Sequence, residues 1–309
     1  MAAAQPAALP PPRGTIAIRG ATLIDTTGER DIEDSTVLVS GGKIIAVGRR
    51  ISIPPGARVI DARGKFLIPG LIDSHVHLLI LIRGSAGEEL GMDLRDLLAQ
   101  GITTLRDMGT DPAALLARVG RLQAAPRVHA MQLVAGRRFF FNGFQGTRTA
   151  RGTIYRQPPA IAMQQLGWRP LQFNPGDDAE AIVAEAREAG AMGLKLYAHL
   201  DSGSVRLLTE AAHRAGMTVW GHAWVQPASV MEQATGGQDG VVHAAGLAGE
   251  LFTVADRDTL VRDGDLQAAT AEVATVGAAH DPRVLAALDT MARRGVIFEP
   301  TLDAVRHSV

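Results

Sequence analysis

His75 and His77 close the run Ile68-Pro69-Gly70-Leu71-Ile72-Asp73-Ser74-His75-Val76-His77 at a spacing of two. Side chains two apart on a strand point to the same face. Both imidazoles therefore leave the strand's end together, and such a pair can grip one divalent metal. A polar strand end with two incidental histidines has the same spacing, because short motifs recur by chance. The Pro-Gly-Leu-Ile-Asp approach and the further ligand candidates downstream favour the metal.

Two of those candidates are His222, which ends Thr218-Val219-Trp220-Gly221-His222, and His243, which ends Gly240-Val241-Val242-His243. Each taken singly reads as a core or turn histidine. Together with the H-x-H they put four imidazoles at three strand ends. Lys195 is more informative still. In Gly193-Leu194-Lys195-Leu196-Tyr197 the alternation sets both leucines on one face and Lys195 with Tyr197 on the other. If the leucines pack against helices, Lys195 points inward, where an unpaired ammonium is costly and, having only donors, cannot bind a metal. An acidic partner, a depressed pKa, or conversion of the amine into an anion would each resolve that conflict.

These residues need a scaffold that brings strand ends together. From Leu67 onward, strand-like runs (Leu67 to His77, Thr103 to Asp107, Val128 to Val134, Gly193 to Tyr197, Thr218 to His222, Gly240 to His243, Val296 to Leu302) alternate with amphipathic stretches. Those stretches include Leu94 to Gln100, Asp178 to Gly190, Val205 to Ala215 and Pro282 to Arg294, with Asp177 or Asp178 as an N-cap and Gly190, Gly216 and Gly295 as stops. Such alternation makes βα units around a parallel sheet. Seven strands fit an α/β chain built as a (β/α)8 TIM-type barrel, in which functional side chains converge at the C-terminal strand ends. The eighth strand is missing from the pattern, so the chain reads as C-terminally truncated.

Residues 15–66 carry a β pattern with a hairpin signal at Ser40-Gly41-Gly42, and read as an incomplete β-sandwich domain before the barrel at 67–309. Residues 1–14 are Ala/Pro-rich and read as a disordered leader. Ala2-Ala3-Ala4-Gln5-Pro6 equally suits the end of an export signal, which leaves the compartment open between cytoplasmic and periplasmic or secreted.

Composition narrows the field. A net charge of −1 gives no reason to expect nucleic acid or a membrane surface as partner. With no cysteine, disulfides and thiolate metal sites are excluded. Hydrophobic content of 46 % is enough for a large core. No helical face marks an interface, so a homo-oligomer stays open.

The run Pro69 to His77, Gly101-Ile102-Thr103-Thr104-Leu105-Arg106-Asp107, Gly193 to Tyr197, His222 and His243 together resemble the amidohydrolase superfamily. More narrowly they resemble its imidazolonepropionase-like and metal-dependent Xaa-Pro dipeptidase (prolidase-like) branch. The resemblance implies a strand-4 lysine, Lys195, carrying a CO2-derived carbamate that bridges two divalent metals, usually zinc. His75, His77 and Lys195 would hold one metal, and Lys195, His222 and His243 the other. It further implies a metal-dependent hydrolase that cleaves a C–N amide bond, in a dipeptide or cyclic amide, by a metal-bridging hydroxide. The family's strand-8 aspartate, the general base, has no counterpart identified in the pattern, and Asp303 follows the seventh run rather than an eighth. Two rival readings stand beside this one: a cyclic-amidase relative like dihydropyrimidinase or dihydroorotase, and a truncated, non-catalytic metal-binding remnant.

Other residues receive smaller expectations. Tyr197 faces the mouth as a substrate contact. Asp73 orients an imidazole or bonds at the strand end, and Asp107 forms a local salt bridge with Arg106. Arg137, Arg138, Arg148 and Arg151 lie in a long loop after the third strand, which reads first as a solvated basic loop and second as a clamp for a substrate carboxylate. His129, His199, His213, His280 and His307 do not fit ligand positions. Open edges on the first and seventh strands would make the chain prone to self-association.

Overall fold

The structure is a computed structural model, and it describes residues 14–24, 26–28, 30–78, 88–122, 124–135, 148–149, 152–153, 171–197, 199–223, 225, 227–253 and 280–301. The chain divides into two compact units, Met1–Leu71 and Ile72–Val309.

The first unit is a mixed sheet. Strands β1 (Ile16–Leu23), β2 (Ile32–Ser40), β3 (Lys43–Gly48) and β4 (Arg58–Asp61) pair in the order β3-β2-β1-β4, and β5 (Phe66–Leu67) adds to the end of β1. The β2–β3 hairpin turns at Gly41 and Gly42, whose φ of 57° and 73° explain the paired glycines. Ala17 and Ala21 of β1 and the run Ser35 to Leu38 of β2 are buried. The described residues form this one sheet, and the second layer that a sandwich would need is not among them.

In the second unit the order is β6 (Leu71–Val76), α1 (Glu88–Ala99), β7 (Ile102–Thr110), α2 (Pro112–Val119), β8 (Arg127–Ala135), then the short pieces β9 (Arg148–Thr149), β10 (Gly152–Thr153) and β11 (Leu171–Gln172). It continues through α3 (Ala179–Glu188), β12 (Gly193–Leu196), α4 (Ser202–Arg214), β13 (Thr218–His222), α5 (Val230–Thr235), β14 (Gly240–Val242), a 3-10 helix (Ala244–Leu251), α6 (Pro282–Arg294) and β15 (Ile297–Glu299). The sheet runs β6-β7-β8-β12-β13-β14-β15, with β11 added beside the end of β8. Within this sheet every described pairing from β7 to β15 is parallel, while β9 and β10 form a separate antiparallel pair. Spatial order thus follows chain order, as right-handed βα units require. The sheet curls: His75 on its first strand and Glu299 on its last approach to 3.1 Å.

The helices begin where the sequence supplies caps. Asp178 accepts from the Glu180 and Ala181 amides at the start of α3, and Asp201 and Asp281 do the same work for α4 and α6. Gly295, at φ 69°, ends α6 in the left-handed conformation. Leu194 and Leu196 of β12 are fully buried against Val183 and Ala186 of α3 and Val205, Leu208, Ala211 and Ala212 of α4. Each such leucine contributes about 1.5–3 kcal/mol of burial. This packing settles the face of Lys195, which lies on the opposite side of the strand and is fully buried. Inside the curl, Met108, Met131, Trp220 and Val242 pack together. Among the described residues, no helix is long and apolar enough to cross a membrane.

Candidate metal centre

All five residues singled out for metal lie at or just beyond the C-terminal ends of sheet strands. His75 is the second-to-last residue of β6 and His77 follows the strand; Lys195 is near the end of β12; His222 ends β13 and His243 follows β14. The four imidazoles gather. Ring centroids are 5.3 Å apart for His75 and His77, 4.8 Å for His75 and His243, and 4.5 Å for His222 and His243.

The electrostatics suit a cation that brings its own charge. Burial lowers all four imidazoles, with the neighbouring positive groups adding to it. His77 falls to about 3 and His243 to about 2, and His222 lies well below its ordinary value. In His75 burial is the largest cause, and Glu299 opposes it without reversing it. Neutral imidazoles keep the lone pair a metal requires. Lys195 is pushed well below its ordinary value, first by burial, with Arg106 adding to that and Glu299 opposing it. Its Nζ is buried and has no hydrogen-bond partner among the described residues. A buried amine without a hydrogen-bond partner among the described residues, close enough for its charge to act on all four imidazoles, fits a divalent ion with N and O ligands. Among the described residues no three His, Asp or Glu side chains already have their donor atoms drawn around one point, so the cluster is a gathering of rings and not a finished cage.

Arg106 and Glu299 join the site from the floor. Glu299 Oε1 lies 3.1 Å from His75 Nδ1, and Glu299 Oε2 accepts from Arg106 Nη2 at 2.7 Å. Arg106 Nε donates to the Ser74 carbonyl at 2.8 Å, and its guanidinium stacks 3.8 Å from the centre of the Trp220 ring. Burial raises the Glu299 carboxyl, but the bond to His75 and the charges of His75, Arg106 and Lys195 outweigh it and hold the group below its ordinary value. Sequence reasoning missed Glu299 because the seventh strand was read through to Leu302, which hid the glutamate inside it. The available signal was its position one strand over from His243: Val242 pairs in register with Glu299.

The expected Asp107–Arg106 salt bridge is corrected. Arg106 pairs with Glu299, while Asp107, fully buried, accepts from the Leu78 amide at 2.7 Å and the Gly109 amide at 3.2 Å. Adjacent residues on a strand point to opposite faces, which sends the two side chains to different partners. Of the two readings of Asp73, the strand-end one holds, since its Oδ1 accepts from the His75 amide at 3.0 Å.

Tyr197 stands edge-on to His222 with ring centroids 4.3 Å apart, and burial pushes its phenol up. His213 pairs with Asp239 at 2.9 Å, and Asp239 also accepts from the Val219 amide. His199 follows β12 with φ 59°. Arg137, Arg138 and Arg151 of the long loop lie outside the described residues, as does the side chain of Arg148. Asp303 and His307 lie outside them too.

No family model matches the chain. The chain is 39 % identical over 77 residues to a 5-methylthioadenosine/S-adenosylhomocysteine deaminase of Symbiobacterium thermophilum, covering 24 % of this chain and 18 % of that protein. It is 47 % identical over 64 residues to an imidazolonepropionase of Idiomarina loihiensis, covering 20 % and 16 %. A dihydroorotase of Trichlorobacter lovleyi matches at 25 % over 214 residues, 65 % of this chain and 45 % of that protein. The matches thus span less than half the length of each of these curated relatives. Among solved structures, a prolidase complexed with N-methylphosphonate-L-proline superposes with a TM-score of 0.62 at 19 % identity, over 92 % of this chain and 77 % of that one. A Xaa-Pro dipeptidase with bound methionine gives 0.57 at 18 %, over 92 % and 78 %. In fold the chain is similar to these solved hydrolases, and in local sequence to an imidazolonepropionase and a dihydroorotase, in keeping with the amidohydrolase resemblance of its motifs.

Proposed function

We propose that the chain is a metal-dependent hydrolase of C–N amide bonds, built on a binuclear centre held by His75, His77, Lys195, His222 and His243. The observation that carries this reading is Lys195: fully buried, its Nζ without a hydrogen-bond partner among the described residues, amid four neutral imidazoles. Burial favours the unprotonated amine, which is the form that adds to CO2. The nitrogen lone pair bonds to carbon, one proton leaves, and the side chain becomes an anionic carbamate with two ligand oxygens. Divalent ions, zinc by the donor set, would supply Lewis acidity and an activated water. His75 and His77 would hold one ion and His222 and His243 the other, with the carbamate of Lys195 as the further oxygen ligand. Tyr197 would be the substrate contact, a reading supported by its edge-on contact with His222. No residue is assigned as general base.

The substrate is a small molecule with an amide bond. Likeness to structures described as a prolidase and a Xaa-Pro dipeptidase favours an Xaa-Pro dipeptide. The dihydroorotase match favours a second reading, a cyclic amide. Zinc- and bicarbonate-loaded protein should be offered Xaa-Pro dipeptides and, in parallel, dihydroorotate and hydantoins. Hydrolysis of either class, abolished by chelation and by Lys195→Ala, is the expected result. Failure to turn over both classes while metal is bound would favour a non-catalytic metal-binding protein.

A further inference from the structure

The backbone leaving β15 reaches two of the proposed ligands at once. Glu299 Oε1 is 3.1 Å from His75 Nδ1, and Thr301 Oγ1 is 2.8 Å from His243 Nδ1. Between them, the Glu299 carbonyl accepts from the His243 amide at 3.0 Å and the Pro300 carbonyl from the Ala244 amide at 3.1 Å. The stretch after β14 is therefore zipped to the stretch after β15. Two residues here hold backbone conformations that their types avoid: His243 at φ 73° and Thr301 at φ 49°. For a β-branched threonine that conformation is costly, and it persists only where the surroundings impose it. Glu299 is itself held by Arg106, which also grips the Ser74 carbonyl next to His75.

We propose that Glu299-Pro300-Thr301 is a positioning segment for the metal-binding imidazoles. Glu299 takes the Nδ1 side of His75, and Thr301 accepts the Nδ1 proton of His243. The hydrogen bond to Thr301 fixes the tautomer of His243, and the Glu299 carboxylate 3.1 Å from His75 Nδ1 favours a proton on that nitrogen by its charge, so the lone pair of each ring sits on Nε2. The ion pair with Arg106 stops Glu299 from swinging away, and Trp220 under the guanidinium keeps Arg106 in place. Neither Glu299 nor Thr301 touches a reacting atom in this scheme; both act through histidines. The proposal rests on the metal-centre reading above.

The test is zinc affinity, measured by chelator competition on the full chain, together with the visible spectrum of the cobalt-substituted protein. Glu299→Ala and Thr301→Val should each bind zinc roughly 10- to 100-fold more weakly, with an altered cobalt spectrum. Glu299→Gln, which keeps an acceptor oxygen, and Thr301→Ser, which keeps the hydroxyl, should recover part of the loss. Leu115→Ala, in the helix-side core with Leu94 and Leu105, should lower the melting temperature and leave affinity and spectrum unchanged. If Glu299→Ala does not fold, Thr301→Val carries the test, since it replaces one hydroxyl by a methyl. Wild-type affinity in both variants overturns the proposal, and a loss in only one overturns it for the other residue. Failure of the wild-type chain to bind zinc overturns the proposal together with the metal-centre reading, which separates the two failures.

Discussion

Asp107 shows how one side chain can secure the site without joining it. Its carboxylate is fully buried and takes the amide of Leu78, the residue directly after His77, and the amide of Gly109. Asp107→Ala would strand both N–H donors, and leaving a buried donor unmade costs about 1–3 kcal/mol each. Urea unfolding should therefore place this variant about 2–6 kcal/mol below the parent. A change under about 0.5 kcal/mol would contradict the bonding described. The histidines and Lys195 were legible in the sequence because rare residue types stood at the ends of apolar runs with the correct parity. Glu299 and Asp107 were not, because acidic residues are common and their role depends on which strand lies opposite. His243 and Thr301 add backbone conformations that no pattern of residue types announces.

Among the elements, close strand packing makes its own demands. A Cβ on Gly193, at the start of β12, would collide with the Thr218 carbonyl of β13 and the Met131 side chain of β8. Backbone cannot yield as a side-chain tip can, so Gly193→Ala should cost about 1–3 kcal/mol by the general penalty for overpacking. Because β12 carries Lys195, metal affinity should fall with it. Denaturant unfolding checks the first expectation and chelator competition the second; a variant as stable as the parent would show that β12 and β13 lie farther apart. Strand and helix alternation was readable because apolar runs, aspartate caps and glycine stops agreed with one another. The short helices α2 and α5 escaped notice: eight and six residues give too little periodicity to separate from loop. Strand bounds also shifted. Phe66–Leu67 joins the N-terminal sheet and the barrel's first strand starts at Leu71, where the Pro69-Gly70 pair allows the chain to change sheets.

For the whole molecule, seven strand-like runs alternating with amphipathic stretches, and the placement of four histidines at strand ends, were enough to read a barrel from the sequence. What covers the N-terminal sheet was not readable, because strand patterns do not say which face finds a partner. That sheet leaves Ile44, Ile45, Val59 and Phe66 exposed at 66 %, 55 %, 52 % and 71 %. Exposed apolar side chains of this size promote association. Sedimentation should show concentration-dependent self-association that Ile44→Lys with Phe66→Lys relieves; a monomer at all concentrations would contradict it. The account as a whole turns on the lysine-bridged centre, and metal content tests it most directly. After expression with zinc and bicarbonate, elemental analysis of the folded chain should give about two metal ions per chain, falling in Lys195→Ala. Folded chain without bound metal, or Lys195→Ala loading as fully as the parent, would contradict it.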